Sequence, residues 1–256
     1  MRARIIQLQA DEDIHMRKAF IAMKGDPAEK EWSEVFDLSH STFKRYSEKW
    51  GYDFLPLWYG DLTVSRWPGL ITGREPRWKH DPSRTHPYWL KIPAIIETLE
   101  KYDYVVYMDS DCLILDDSKD IVNELPEDKS FALAEVAGWG GKVVSTAVSV
   151  SRASEMGLAF WREAWTTEAY QRNKGWADNA SVAYLLGWSL NAPWVHYDGS
   201  PYYPSFHDLG TEWNAYTANG GEYIPGCRVY HASGSGDAAT KLGWMRNAIE
   251  QRKKGI

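Results

Sequence analysis

Hydrophobic and polar positions along this chain alternate between two periods, and the change from one to the other outlines its elements. A short apolar run over residues 4–9 reads as a first strand, and the loop over residues 10–13 leads into a helical pattern around residues 14–23. From residue 28 to Trp50, the residues Trp32, Val35, Phe36, Phe43, Tyr46 and Trp50 recur at helical spacing, and Gly51 is placed to stop that helix. A second strand follows over residues 52–58. Residues 60–82 are rich in Gly, Pro, Trp and Arg with little periodicity, as in a long loop. Residues 87–102 return to a helix in spite of Pro93, with Leu90, Ile92, Ile95, Ile96 and Leu99 as its stripe. Then Val105 to Met108 run without alternation into Asp109-Ser110-Asp111, the pattern of a strand buried on both faces that surfaces at its carboxyl end.

Beyond Leu115, Asp116 or Asp117 is a candidate cap for a short helix through Leu125. Strands are expected over residues 131–135 and 143–150, a helix over 151–172, and a helix over 177–187 that opens with Asp178 and Asn179. Residues 188–226 read as a loop-rich region, residues 228–231 as a closing strand, 231–236 as a glycine-rich turn and 238–254 as a basic terminal helix. Strands alternating with helices up to Glu135 predict a mainly parallel α/β sheet. With no repeat, low-complexity tract or linker in view, the expectation is one domain over residues 1–256.

Composition narrows the classes. A net charge of -6 and a pI near 5.7 argue against a broad nucleic-acid surface. No run reaches the roughly 18 apolar residues of a membrane span, and the first residues lack signal-peptide order. Cys112 and Cys227 are too few for a disulfide framework, so a cytoplasmic, reducing setting is expected. The 14 Trp and 15 Tyr tilt the reading toward carbohydrate, whose apolar faces stack on rings, although any single ring is more often core. Neither GxGxxG nor GxxxxGKS occurs.

Candidate chemistry centres on Asp109 and Asp111. An Asp-x-Asp is expected about once by chance in a chain of this size, and a second stands at Asp11 and Asp13 before a helical pattern it can cap. Position separates them. Residues two apart on a strand face the same way, so Asp109 and Asp111 can reach one cation beyond the carboxyl end of a parallel strand, where α/β ligands sit. The plainer alternative is a pair of surface acids in a turn.

The stretch HPYWLKIPAIIETLEKYDYVVYMDSDCLI, with an Asp-Asn helix start and a late His in the same order, resembles the metal-dependent retaining glycosyltransferases of the GT-A fold. It is most similar to the group of plant xyloglucan xylosyltransferases and yeast α-galactosyl- and α-mannosyltransferases, with glycogenin and lipooligosaccharide galactosyltransferases more distant. The resemblance covers roughly residues 9–241 and implies a Rossmann-like, mixed but mainly parallel sheet flanked by helices. About 1–115 would form the nucleotide-sugar half and about 116–256 the acceptor-side half.

For the site, the resemblance implies that Asp109, Asp111 and His231 bind Mn2+ or Mg2+, with the nitrogen ligand leaning toward manganese. It implies donor contacts from Gln9, Asp11, Lys91, Ser110, Ser145, Gly234 and Lys241. It gives catalytic roles to Asp178, which would hold sugar hydroxyls, and to Asn179, which would stabilise the positive anomeric carbon. The substrates would be a nucleotide diphosphate sugar and a carbohydrate or other hydroxyl acceptor, with front-face attack and a diphosphate oxygen as proton acceptor. Three departures stand out: Asn179 where the family has Gln, Ser145-Thr146-Ala147 where it has Asn-x-Gly, and Lys241 ten residues beyond His231 rather than a few. From the residues alone, the ordinary readings are a core or turn histidine for His231, a solvated helix lysine for Lys91 and a helix cap for Asp178 with Asn179. A glycoside hydrolase and a carbohydrate-binding or inactive GT-A protein remain as rival readings.

Overall fold

Asp111 and His231 lie far apart in the chain, and the pairing of two short strands brings them together. The structure, a computed structural model, describes residues 16–24, 32–58, 87–138, 141–167, 176–190, 195–215, 221–234 and 236–255. Its eight described strands are β1 (Lys18–Lys24), β2 (Asp53–Trp58), β3 (Tyr104–Met108), β4 (Cys112–Ile114), β5 (Phe131–Gly138), β6 (Gly141–Arg152), β7 (Phe206–Asp208) and β8 (Val229–His231). The helices are α1 (Ser33–Trp50), α2 (Pro87–Leu99), α3 (Glu155–Thr166), α4 (Ala177–Leu185) and α5 (Ala238–Lys253).

The main sheet has the order β2-β1-β3-β6-β5-β7. The β1–β2, β1–β3 and β5–β7 pairings are parallel, and β6 alone runs against both of its neighbours. This is the expected mixed, mainly parallel α/β domain. A second sheet of β4 and β8 pairs Cys112 with His231. That register sets the residue just before β4, Asp111, beside the last residue of β8.

Two expectations are corrected. Residues 18–24 form a strand, not part of a helix over 14–23. Ala19, Phe20, Ile21 and Ala22 are all fully buried between two parallel neighbours, and a short apolar run fits such a strand as well as it fits a buried helix. The turn after Leu115 is a 3-10 helix, Ile121–Glu124, capped by Asp120 Oδ1, which accepts from Val122 N at 3.2 Å. Asp116 and Asp117 instead turn to basic side chains. The expected strand over residues 4–9 and the loop over 60–82 lie outside the described residues, and the loop-rich segment after Trp188 contributes the edge strand β7.

Local causes are otherwise as the sequence suggests. α1 buries Val35, Phe36, Ser39, Thr42, Phe43, Tyr46 and Ser47 along one stripe, and ends where Gly51 adopts φ 70 and donates its N–H to Ser47 O. α2 is apolar nearly all round and packs under β3 and against α3, so Lys91 on it is buried. The main core lies between the large sheet and its helices, and a smaller core joins β4, β8 and α5. Trp89, Trp161 and Trp213 belong to the fully buried set.

Candidate functional site

A cleft of about 560 Å³ opens beyond the carboxyl end of β3, and its lining includes Lys91, Asp109, Ser110, Asp111, Ser145, Asp178, Asn179, His231, Gly234 and Lys241. Of the residues singled out from sequence, Gln9 and Asp11 lie outside the described residues. Trp32, Phe36 and Trp176 add aromatic surface to the wall.

Asp109 begins the turn after β3. Its N–H donates to Ala147 O of β6 at 2.8 Å, and Ser39 on α1 donates to Ser110 O at 2.5 Å, so both flanks of the turn are pinned. The two carboxylates do not share one environment. Asp109 Oδ1 accepts from Tyr107 Oη at 2.7 Å and lies 2.9 Å from Lys91 Nζ. Asp111 Oδ2 is 2.6 Å from Lys241 Nζ, and Asp111 Oδ1 is 3.4 Å from His231 Nε2. Burial pushes the Asp111 carboxyl up, but His231 and Lys241 outweigh it and hold the group well below the usual carboxylate range.

Lys91 is 2 % exposed and lies 3.2 Å from Asp178 Oδ2 as well as close to Asp109. Burial works against its charge, yet Asp109 and Asp178 prevail and hold the ammonium above its ordinary pKa. Burial pushes the Asp178 carboxyl above its ordinary value, against the pull of Lys91 and Thr146. Asp178 is not the cap of α4. The N-cap is Trp176, which makes no side-chain cap bond, and Ala177 takes φ 46, a left-handed backbone that costs an L residue about 1–2 kcal/mol. Strain of this kind is concentrated at functional sites.

Thr146 is the residue that reading the sequence passed over. The β5–β6 register slips between Leu133 and Ala134, whose partners are Ser149 and Ser145, so Thr146 falls in a bulge. Its freed N–H donates to Asn179 Oδ1 at 2.8 Å. Its hydroxyl donates to Asp178 Oδ2 at 2.5 Å and accepts from Lys91 at 3.2 Å. Because a backbone N–H can only donate, the end of Asn179 that meets it is the oxygen. No pattern in the sequence marks a bulge there except the run Ser145-Thr146-Ala147, in which Ser145 drew notice. Ser145 lines the cleft, and its Oγ accepts from Ala147 N at 3.3 Å. Ala147 needs no glycine-like backbone, since Ala177 is the one non-glycine residue with positive φ among those described.

Lys241 reaches the cleft because the turn after β8 folds back, with Gly234 at φ 106 and α5 started by Asp237, whose Oδ1 accepts from Thr240 N at 2.8 Å. Among the described residues, one group of close metal-ligating atoms is present: Asp111, Cys112 and His231, all within 4.8 Å of one another. Asp109 stands outside it, turned to Lys91 and Tyr107. Burial raises the Cys112 thiol well above its ordinary value, and its Sγ lies 4.0 Å from Ala147 O, so it is a poor ligand for a hard cation. Asp111 Oδ1 and His231 Nε2 do suit one: two ligands about 2.1 Å from an ion lie about 3 Å apart at a right angle, and farther as the angle opens. The 3.4 Å between them fits that spacing.

No protein-family model matches the chain, and no curated protein matches it by sequence. Its fold is shared with solved structures. A glycosyltransferase involved in the glycosylation of the major capsid of PBCV-1 superposes with a TM-score of 0.56 at 12% identity, over 90% of this chain and 99% of that one. The WbbM bifunctional glycosyltransferase gives 0.50 at 11% identity, over 96% of this chain and 52% of its own. Mouse xyloside xylosyltransferase 1 gives 0.50 at 8% identity, over 84% and 97%. The chain therefore shares with these structures a mixed, mainly parallel α/β fold consistent with a GT-A-like architecture. At such identities the likeness speaks for architecture alone.

Proposed function

We propose that this protein is a metal-dependent retaining glycosyltransferase that moves a sugar from a nucleotide diphosphate sugar to a hydroxyl of a glycan or related acceptor. The observation that carries the reading is the cleft itself. At the strand ends of a GT-A-like fold it gathers Asp111 and His231 at ligand spacing with two buried-side lysines and the Asp178 carboxylate. The three structural neighbours, all glycosyltransferases, agree with it.

In this reading Asp111 and His231 hold Mn2+ or Mg2+, and Asp109 joins them by giving up an oxygen now facing Lys91. The bound cation would supply Lewis-acid neutralisation of charge on the departing diphosphate. Lys241, already against Asp111, lies where diphosphate oxygens would take over its ion pair. Asp178 has Oδ2 engaged by Thr146 and Lys91, which leaves Oδ1 for a sugar hydroxyl. Asn179 is the residue whose expected role changes most. Its amide oxygen is engaged by Thr146 N–H, so it can serve the anomeric carbon only with its remaining lone pair. That observation also favours a second reading, a GT-A protein that binds nucleotide sugars without transferring them.

Thermal shift with UDP- and GDP-sugars, with and without MnCl2, tests the first step. A manganese-dependent rise in Tm with a nucleoside diphosphate is expected, and none with any nucleotide would sink the proposal. Release of nucleoside diphosphate and sugar in the same mixtures separates a transferase from a binding protein. Glycan hydrolysis that persists in EDTA without nucleotide would favour a hydrolase.

A further inference from the structure

The His231 imidazole meets a side chain at each of its ring nitrogens. Its Nε2 faces Asp111, while its Nδ1 lies 2.9 Å from Asn214 Oδ1. Asn214 is 1 % exposed, and among the described residues its buried Nδ2 has no hydrogen-bond partner. Leaving such a donor unsatisfied costs about 1–3 kcal/mol, a cost that a residue with only a packing role would shed by becoming Leu.

The backbone holds Asn214 in place. Its own N–H donates to Thr211 O at 3.3 Å, Trp213 before it is fully buried, and Ala215 after it is bridged to β8. Ala215 N donates to Val229 O and His231 N donates to Ala215 O, each at 2.9 Å, so the segment carrying Asn214 is pinned to the strand carrying His231.

We infer that Asn214 is a positioning residue for the cation seat: its amide oxygen accepts from His231 Nδ1–H and so turns Nε2 toward Asp111. This inference rests on the metal-binding reading of the cleft. With Nδ1–H given to Asn214, the nitrogen that faces Asp111 across 3.4 Å is Nε2, and that gap takes either the second proton of an imidazolium or a cation that displaces it. A cation that takes the place of a proton on Nε2 finds the ring already oriented, and no rotation is needed when the ion arrives. With the amide reversed, Nε2 would carry the proton and close the gap to Asp111 itself.

The test uses Mn2+ alone as probe, with free ion measured by electron paramagnetic resonance on the full chain. Asn214→Leu keeps the side-chain shape and removes the acceptor, and its Mn2+ dissociation constant should rise about 10- to 100-fold. Asn214→Asp keeps an acceptor on the same backbone and should bind Mn2+ as the wild type does. A purely structural role would lower Tm in both variants without this split. The inference is overturned if Asn214→Leu binds as tightly as wild type while His231→Ala does not, or if Asn214→Asp loses binding along with Asn214→Leu. If wild type and His231→Ala bind Mn2+ equally weakly, the cation seat itself fails and takes this inference with it. Should Asn214→Leu not fold, ring 15N shifts of His231 in the wild type decide: a proton on Nδ1 upholds the inference and an unprotonated Nδ1 overturns it.

Discussion

Lys91 is a charge on an apolar helix, buried between two carboxylates at the cleft. Removing it leaves Asp109 and Asp178 facing each other beneath the cleft floor with their shared cation gone. Breaking a buried ion pair from one side costs about 3–5 kcal/mol, so Lys91→Met should lower stability by roughly that amount in urea unfolding. Adding Asp178→Asn to it should recover part of the loss, because one of the stranded charges is then removed. Two independent, additive losses would show that the groups are not coupled. Thr146→Val, which keeps shape and the N–H but loses the hydroxyl bonded to Asp178, should cost about 1–3 kcal/mol, and Thr146→Ser should restore most of it.

Elements set where these residues stand, and their ends are the sensitive points. α1 is closed by Gly51 at φ 70 with open space around its Cα, so Gly51→Ala meets no clash and isolates the backbone cost. A loss of about 1 kcal/mol is expected, read as a lower urea midpoint at unchanged slope. The same helix is tied to the turn after β4 by Lys49 and Arg45, whose contacts with Asp117 hold that carboxyl below its ordinary value. A depressed folded pKa contributes stability above the unfolded carboxylate value of about 3.9, and that contribution is lost as pH falls through the folded value. Wild type should therefore lose stability more steeply than Asp117→Asn below about pH 4, and both should behave alike near neutrality apart from a constant offset. Parallel acid-unfolding curves would contradict this.

At the scale of the whole molecule, the cleft is held together by its own ion pairs. Lys91 lies between Asp109 and Asp178, and Lys241 pairs with Asp111, so each of these carboxylates has a cationic partner from the chain itself. EDTA is expected to leave Tm and far-UV circular dichroism of the nucleotide-free protein unchanged, while abolishing any stabilisation by nucleoside diphosphate. A fall in Tm on chelation alone would mean that the cation has a structural role.

Much of this plan is readable from the chain. The unbroken apolar run of β3 followed by acids, the stripe of α1 stopped at Gly51, and the apolar α2 that carries Lys91 each follow from local periodicity and burial, which sequence records directly. Periodicity fails at Lys18–Lys24, where a short apolar run between lysines suits strand and helix alike, and only two parallel neighbours decide it. The acids at Asp109 and Asp111 were legible as a pair, but their separate environments were not. Asp109 faces a lysine from α2, and Asp111 faces a histidine brought alongside by the β4–β8 pairing. Thr146 and Asn214 were invisible for the same reason: a bulge in one strand and a bridge to another create their contacts, and neither residue type nor spacing announces a partner so distant in the chain. The sequence determined the elements and which of them surface as acid or lysine, because those depend on neighbours along the chain. Tertiary structure alone decided which oxygen meets which nitrogen, because that depends on strand register, where a single slip moves every contact.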